Sequence, residues 1–194
     1  MASRWLLQLF LVRRREWLTP EVIKRPSPAR WRTFSCAVAG APYDDGMTAP
    51  LTLRVLPPAP QYGTPFDVGA DGFDEGWWIS RWHEGGGPDA DAITLSLDGD
   101  EVARAMVLHD GPEAEHVGLV PLTDPVELAR IEVAEQHRGR GFGRDAVLAI
   151  ACHYAGRDIW VHGDAAAFYE KTGWTRYERA DGDTSIVPFF VLHP

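Results

Sequence analysis

Apolar residues return at every second position in Leu51, Leu53 and Val55, with polar residues between them. That alternation predicts a first strand over 51–56, stopped by Pro57, Pro58 and Pro60. Two further apolar runs, 92–97 and 102–108, flank Asp98-Gly99-Asp100. An Asp-Gly pair between strand-like runs predicts a hairpin. The run 126–133 predicts the next strand. A helix over 145–155 follows, with Val147, Ile150, Ala151 and Tyr154 on one face and Gly156 as its stop. A short strand over 158–162 comes next, then a helix capped by Asp164 and ended near Thr172 by Gly173. A last hairpin is predicted over 174–179 and 185–192 around Asp181-Gly182-Asp183. Pro188 lacks a ladder donor, so a bulge or strand start is expected there. Residues 57–92 are rich in glycine, with one helix expected over 73–82 bearing Trp77, Trp78, Ile79 and Trp82. Residues 111–125 read as a loop.

Between the strand at 126–133 and the helix after it lies Gln136-His137-Arg138-Gly139-Arg140-Gly141-Phe142-Gly143-Arg144. Three glycines in five residues let the backbone curl and leave its N–H groups uncovered. A helix that starts there adds free N–H groups and a positive dipole end. The result is a cradle for an anion, phosphate above all. The dinucleotide spacing G-x-G-x-x-G is absent, and so is the P-loop spacing with its Lys-Ser/Thr pair. What stands here is Q-x-x-G-x-G, from Gln136 to Gly141. It resembles the pyrophosphate-binding motif of the GNAT superfamily of N-acetyltransferases. A second stretch, Ala165-Ala166-Ala167-Phe168-Tyr169-Glu170-Lys171-Thr172-Gly173-Trp174, is similar to a late segment of the same family.

The resemblance implies an α+β fold, a mixed and mostly antiparallel sheet flanked by helices, over 47–194. It implies acetyl-CoA as co-substrate, no metal, direct transfer to a primary amine, and pairing into a homodimer in many members. Ile131, Glu132 and Val133 would lie along the acetyl-pantetheine arm. Gly139, Arg140, Gly141, Phe142, Gly143 and Arg144 would take the pyrophosphate, with Arg138 beside them. His162, Ala165, Phe168 and Tyr169 would complete the coenzyme wall. Tyr169 is the candidate general acid, since a phenol with an ordinary pKa near 10 keeps its proton at neutral pH. Its other role would be packing alone. Two candidates stand for the base, Glu132 at the end of its strand and His162, whose imidazole titrates near neutrality. A water chain is a third route. The rival class is a non-catalytic acyl-CoA-binding module.

Charge adds an asymmetry. Residues 1–46 carry eight Lys/Arg and four Asp/Glu, a balance of +4, whereas 47–194 carry eleven and twenty-four, a balance of −13. The acidic body argues against nucleic acid and for a cationic small-molecule or basic peptide amine acceptor, the other reading being that the negative charge only aids solubility. The segment 1–46 reads as a loosely ordered extension ahead of a domain starting at Met47. Its apolar stretch at 5–12 is too short to span a bilayer, and its basic cluster follows rather than precedes that stretch. No membrane association is expected. Two cysteines, Cys36 and Cys152, make no disulfide framework, and a cytoplasmic location fits. Cys152 reads as a buried apolar residue of its helix. The histidines show no metal-ligand spacing with cysteine or acid.

Overall fold

A computed structural model describes residues 51–58, 64–67, 69–85 and 90–193. The extension at 1–46 and the start at Met47 lie outside the described residues. The elements run β1 (Thr52–Val55), α1 (Glu75–Gly85), β2 (Ala90–Leu97), β3 (Asp100–Leu108), β4 (Val126–Val133), α2 (Phe142–His153), β5 (Ile159–His162), α3 (Ala166–Lys171), β6 (Thr175–Tyr177) and β7 (Phe189–Leu192). One sheet takes all seven strands in the order β1-β2-β3-β4-β5-β7-β6. Only β4 and β5 pair in parallel, joined through α2, and every other neighbour is antiparallel. This is the mixed, mostly antiparallel sheet flanked by helices that the resemblance implies.

Local chemistry explains most of the boundaries. Asp98 and Gly99 have φ of 52° and 97°, the doubly positive pair that a type I′ hairpin turn requires. Asp74 caps α1, its carboxylate accepting the Trp77 N–H at 3.0 Å, so the helix starts two residues later than the aromatic pattern suggests. Gly141 is the left-handed N-cap of α2, so that helix begins at Phe142, three residues ahead of its predicted start. Ala165, not Asp164, stands at the N-cap of α3, with no side-chain cap. β7 begins just after Pro188, whose carbonyl accepts the Gly163 N–H at 3.0 Å.

The two sheet faces bury different sets. Ile93, Leu95, Val107, Val126 and Leu128 face α2 and α3, where they meet Val147, Ile150, Tyr169 and Phe190. Ala92, Met106 and Ala129 face α1, where they meet Trp78, Trp82 and Phe66. Of the aromatic cluster at 77–82, Trp78 and Trp82 are core and Trp77 packs partly buried against them. Under the loop at 111–125, Trp160, Phe189 and Val191 form a third cluster with Leu119 and Leu122. Cys152 departs from expectation. It is half-buried.

Arg104, in the middle of β3, is 1% exposed. Its guanidinium meets Glu101 through Nε at 2.9 Å and Nη2 at 3.0 Å, and Nη2 also donates to the Asp67 carbonyl at 2.7 Å. The Phe73 ring lies 4.1 Å from its central carbon. A charge this deep persists only when its donors are matched. Here the match ties the segment before α1 to the sheet.

Candidate functional site

β4 and β5 share two register pairs, Val126 with Ile159 and Glu127 with Trp160, and pair no further. A bulge drives them apart. Met106 faces Arg130 and Val107 faces Leu128, so Ala129 has no partner on β3. A bulge bends its strand and increases the local twist. The gap opened past the bulge is a narrow cleft lined by Trp77, Leu128, Ala129, Arg130, Ile131, Val161, His162 and Tyr169.

At the far end of β4 the chain makes one 3-10 turn, Glu135–His137, and enters the glycine segment. Gly139 and Gly141 have φ of 74° and 89°. Those values are open to glycine at little cost. The Arg138 N–H bonds to the Glu135 carbonyl, and the Arg144 N–H bonds to that of Gly141. Between them, five consecutive N–H groups, Gly139 to Gly143, have no backbone acceptor among the described residues. A Cβ built on Gly139 or Gly141 would meet nothing within 4 Å, so a ligand can approach the backbone directly. That set fits a pyrophosphate. It is narrower than the expected one, because Arg144 spends its N–H inside the turn. Phe142 has only its backbone N–H to offer there, since its ring is buried. The Arg140 guanidinium lies 5.3 Å from that ring's centroid.

Arg138 behaves differently from the expectation. Its Nε donates to the Val133 carbonyl at 2.9 Å and its Nη2 to Glu132 at 3.0 Å. The side chain therefore turns back onto β4, because a carboxylate and a strand-end carbonyl offer it acceptors there. Gln136 also ties structure together, donating to the Asp71 carbonyl at 3.3 Å beside the Gly72 turn.

Glu132 faces α1 and does not line the cleft. Its carboxylate, 13% exposed, accepts the Trp78 indole N–H at 2.7 Å and the Asp74 N–H at 3.4 Å, besides Arg138. Burial pushes its pKa up, and the Trp78 and Asp74 donors and the Arg138 charge pull against that rise. Ile131 and Val133 turn the other way, toward α2 and α3.

His162 ends β5 on the same sheet face as Trp160 and lines the cleft. Its Nδ1 lies 3.2 Å from the Val187 carbonyl. A carbonyl only accepts, so that contact puts a proton on Nδ1. His116, buried and stacked on Phe189 at 3.8 Å, sits 6.4 Å from the His162 ring. Burial lowers its pKa.

Tyr169 is 3% exposed and boxed by Phe190, Trp174 and Phe168, with ring centroids 5.1, 5.4 and 5.3 Å away. Its ring lies over Gly163, where a Cβ would come within 2.3 Å of Cε2. Burial, with the Asp164 charge second, pushes the phenol up to about 12. Phe168 reaches the glycine turn, its ring 3.5 Å from where a Gly143 Cβ would stand. Ala165 serves through its carbonyl, which accepts the Phe168 and Tyr169 N–H groups at 2.8 and 3.2 Å. So Ile131, His162 and Tyr169 converge on one cleft, with Phe168, Val133 and the glycine turn next to it. Arg130 and Gly163 went unnoticed in the sequence. The signal for Arg130 was a cation inside an otherwise apolar stretch of β4. Gly163 had no signal, because its neighbour Tyr169 arrives from another element. Among the described residues no group of three His, Cys, Asp or Glu side chains is placed to hold a metal. No helix there is long and apolar enough to cross a membrane.

No family model matches the chain, and no curated protein matches it. Solved structures of related shape exist. An acetyltransferase from Thermus thermophilus has 22% identity over 59% of this chain and 69% of its own, at a TM-score of 0.42. The Bacillus subtilis N-acetyltransferase YlbP in complex with coenzyme A has 17% identity over 64% and 85%, at 0.40. A KacTA-DNA complex has 17% identity over 73% and 92%, at 0.45.

Proposed function

We propose that the protein is an acetyl-CoA-dependent N-acetyltransferase of the GNAT type that acts by direct transfer to a primary amine. One observation carries this reading. Five backbone N–H groups with no backbone acceptor among the described residues stand at the start of α2, beside a cleft between β4 and β5 that Tyr169 borders. The two motifs of the sequence fall on those two features.

Gly139 to Gly143 hold the pyrophosphate through backbone N–H groups, and Ile131 and Val133 flank the pantetheine arm. Acetyl-CoA supplies the acetyl thioester. In the reaction a bond forms between the amine nitrogen and the acetyl carbon, the carbon–sulfur bond breaks, the amine gives up one proton, and the coenzyme leaves as a thiol. His162 is the base of this reading, since its imidazole lines the cleft. Glu132, saturated with donors, positions the N-terminus of α1 instead. Tyr169 keeps its proton at any working pH. A phenol at about 12 is a weak acid against a thiol with an ordinary value near 8.5. Its main contribution is therefore a hydrogen bond to the negative charge that grows on sulfur.

Tyr169→Phe tests the proposal. Ring packing survives, so acetyl-CoA affinity should hold. Losing one preorganised donor should lower kcat by about 10²- to 10³-fold. Thiol release with a competent amine and a direct coenzyme titration supply both numbers. Normal turnover in the variant would remove Tyr169 from the chemistry. Coenzyme binding without turnover of any amine in either form would mark a binding module.

A further inference from the structure

The segment that leads into α1 is held by the residues that lead into the glycine turn. The described residues of 64–74 belong to no helix or strand. Hydrogen bonds across to the end of β4 hold them instead. The Glu135 N–H donates to the Gly72 carbonyl at 2.8 Å, and Gln136 Nε2 donates to the Asp71 carbonyl at 3.3 Å. Gly72 has φ of 86°, and a Cβ there would come within 2.0 Å of Gln136 Oε1, so the two segments touch without slack. One step further on, Glu132 accepts the Asp74 N–H at 3.4 Å and the Trp78 indole N–H at 2.7 Å. From its other side it accepts Arg138 Nη2 at 3.0 Å. Gly139 comes next in the chain and opens the pyrophosphate cradle. Asp74 also caps α1 through the Trp77 N–H, and Trp77 lines the cleft with its ring edge-on against Trp78. One carboxylate therefore holds the residue before the coenzyme turn and the first turn of the helix that brings Trp77 to the cleft.

We infer that Glu132 is a positioning residue that couples the two halves of the site: when a pyrophosphate fills the glycine turn, Arg138 and Glu132 fix the first turn of α1, and with it Trp77 at the cleft. This inference rests on the acetyl-transfer reading, which supplies the ligand of the turn. The physical source of the coupling is ordering. Gly139 and Gly141 sit at φ of 74° and 89°, and glycine gives the empty turn more backbone freedom than any other residue would. A ligand on their N–H groups removes that freedom. Segment 71–78 is tied to the same residues, so it is ordered in the same event, and whatever next binds against it has less entropy to lose. Coupling of this kind is reciprocal, so seating of α1 also tightens the turn.

Amide hydrogen exchange tests this on the full chain, free and at saturating acetyl-CoA. Slower exchange over 139–143 reports that the coenzyme sits on the turn. Expected with it is exchange over 74–79 slowed by about fivefold or more, the lower end of coupling between sites. Glu132→Gln keeps an oxygen for Trp78 and Asp74 but loses the charge that holds Arg138. In that variant 139–143 should still slow, whereas most of the slowing over 74–79 should vanish. Arg138→Gln repeats the test from the other side with Glu132 intact, and the Arg138 side chain is 54% exposed, so its loss leaves the fold standing. A merely structural Glu132 predicts something else. Its substitution would speed exchange over 74–79 equally in the free and the loaded chain and leave the difference between them unchanged. That result overturns the inference. So does a parent chain in which 139–143 slow and 74–79 do not. A chain that binds no acetyl-CoA overturns the acetyl-transfer reading, and the inference with it.

Discussion

A methyl group at Gly163 would meet the Tyr169 ring. The Cβ of Gly163→Ala comes within 2.3 Å of Cε2, 2.9 Å of Cζ and 3.0 Å of the hydroxyl oxygen. Carbon atoms rest about 3.5–4.0 Å apart, so the ring has to retreat by about 1.2 Å or more. It has little room. Phe190 stacks on it, Trp174 and Phe168 close the sides, and the residue is 3% exposed. Overpacking of this kind costs about 1–3 kcal/mol. For a chain of this size that lowers Tm by roughly 2–4 °C per kcal/mol. The same shift moves the hydroxyl from the cleft. Misplacing a reacting group by about 1 Å is worth about a hundredfold in rate. Gly163→Ala should therefore lose thermal stability and kcat together, while the glycine turn still binds acetyl-CoA. Calorimetry, coenzyme titration and thiol release give the three readings. A variant with an unchanged Tm and the parent kcat would refute the close approach of Gly163 and Tyr169. The Tm reading stands whether or not the protein is an acetyltransferase.

Arg104→Met should cost about 3 kcal/mol in urea unfolding, the low end for a broken buried pair, because Glu101 keeps 19% of its side chain in solvent. Gly141→Ala places a side chain at φ of 89°, so it should lose about 1–2 kcal/mol of stability and also weaken acetyl-CoA binding, both measurable on one sample by denaturation and titration. Glu132 gives a signed pH effect. Its folded pKa lies above the ordinary 4.5, so between those values the native state holds more protons than the unfolded chain. Stability should therefore fall as pH rises through that window, and Glu132→Gln should flatten that part of the curve; a slope unchanged by the substitution would contradict the burial of this carboxylate.

Much of the chain could be read from one dimension because the deciding forces are local. The alternation at 126–133 is a strand whose two faces are both buried in part. Asp98-Gly99 closes a hairpin because the pair tolerates positive φ. The glycine segment supplies free N–H groups wherever it folds, since no side chain stands in the way. Boundaries drifted where a cap decided them. Gly141 starts α2 in a left-handed conformation, which apolar spacing does not register. The candidate site divides along the same line. Tyr169 and the glycine turn carry motifs, so their part in the cleft was legible. The surroundings of Arg138, Glu132 and Arg130 were not legible, because each depends on what stands across from it. Arg138 is drawn back to β4 by the Val133 carbonyl and Glu132. Glu132 meets Trp78 from a helix more than fifty residues away. The cleft itself exists because Ala129 bulges and β4 parts from β5 after two register pairs. Register between strands is set by the packing of both faces at once, and that is a property of the folded sheet rather than of either strand.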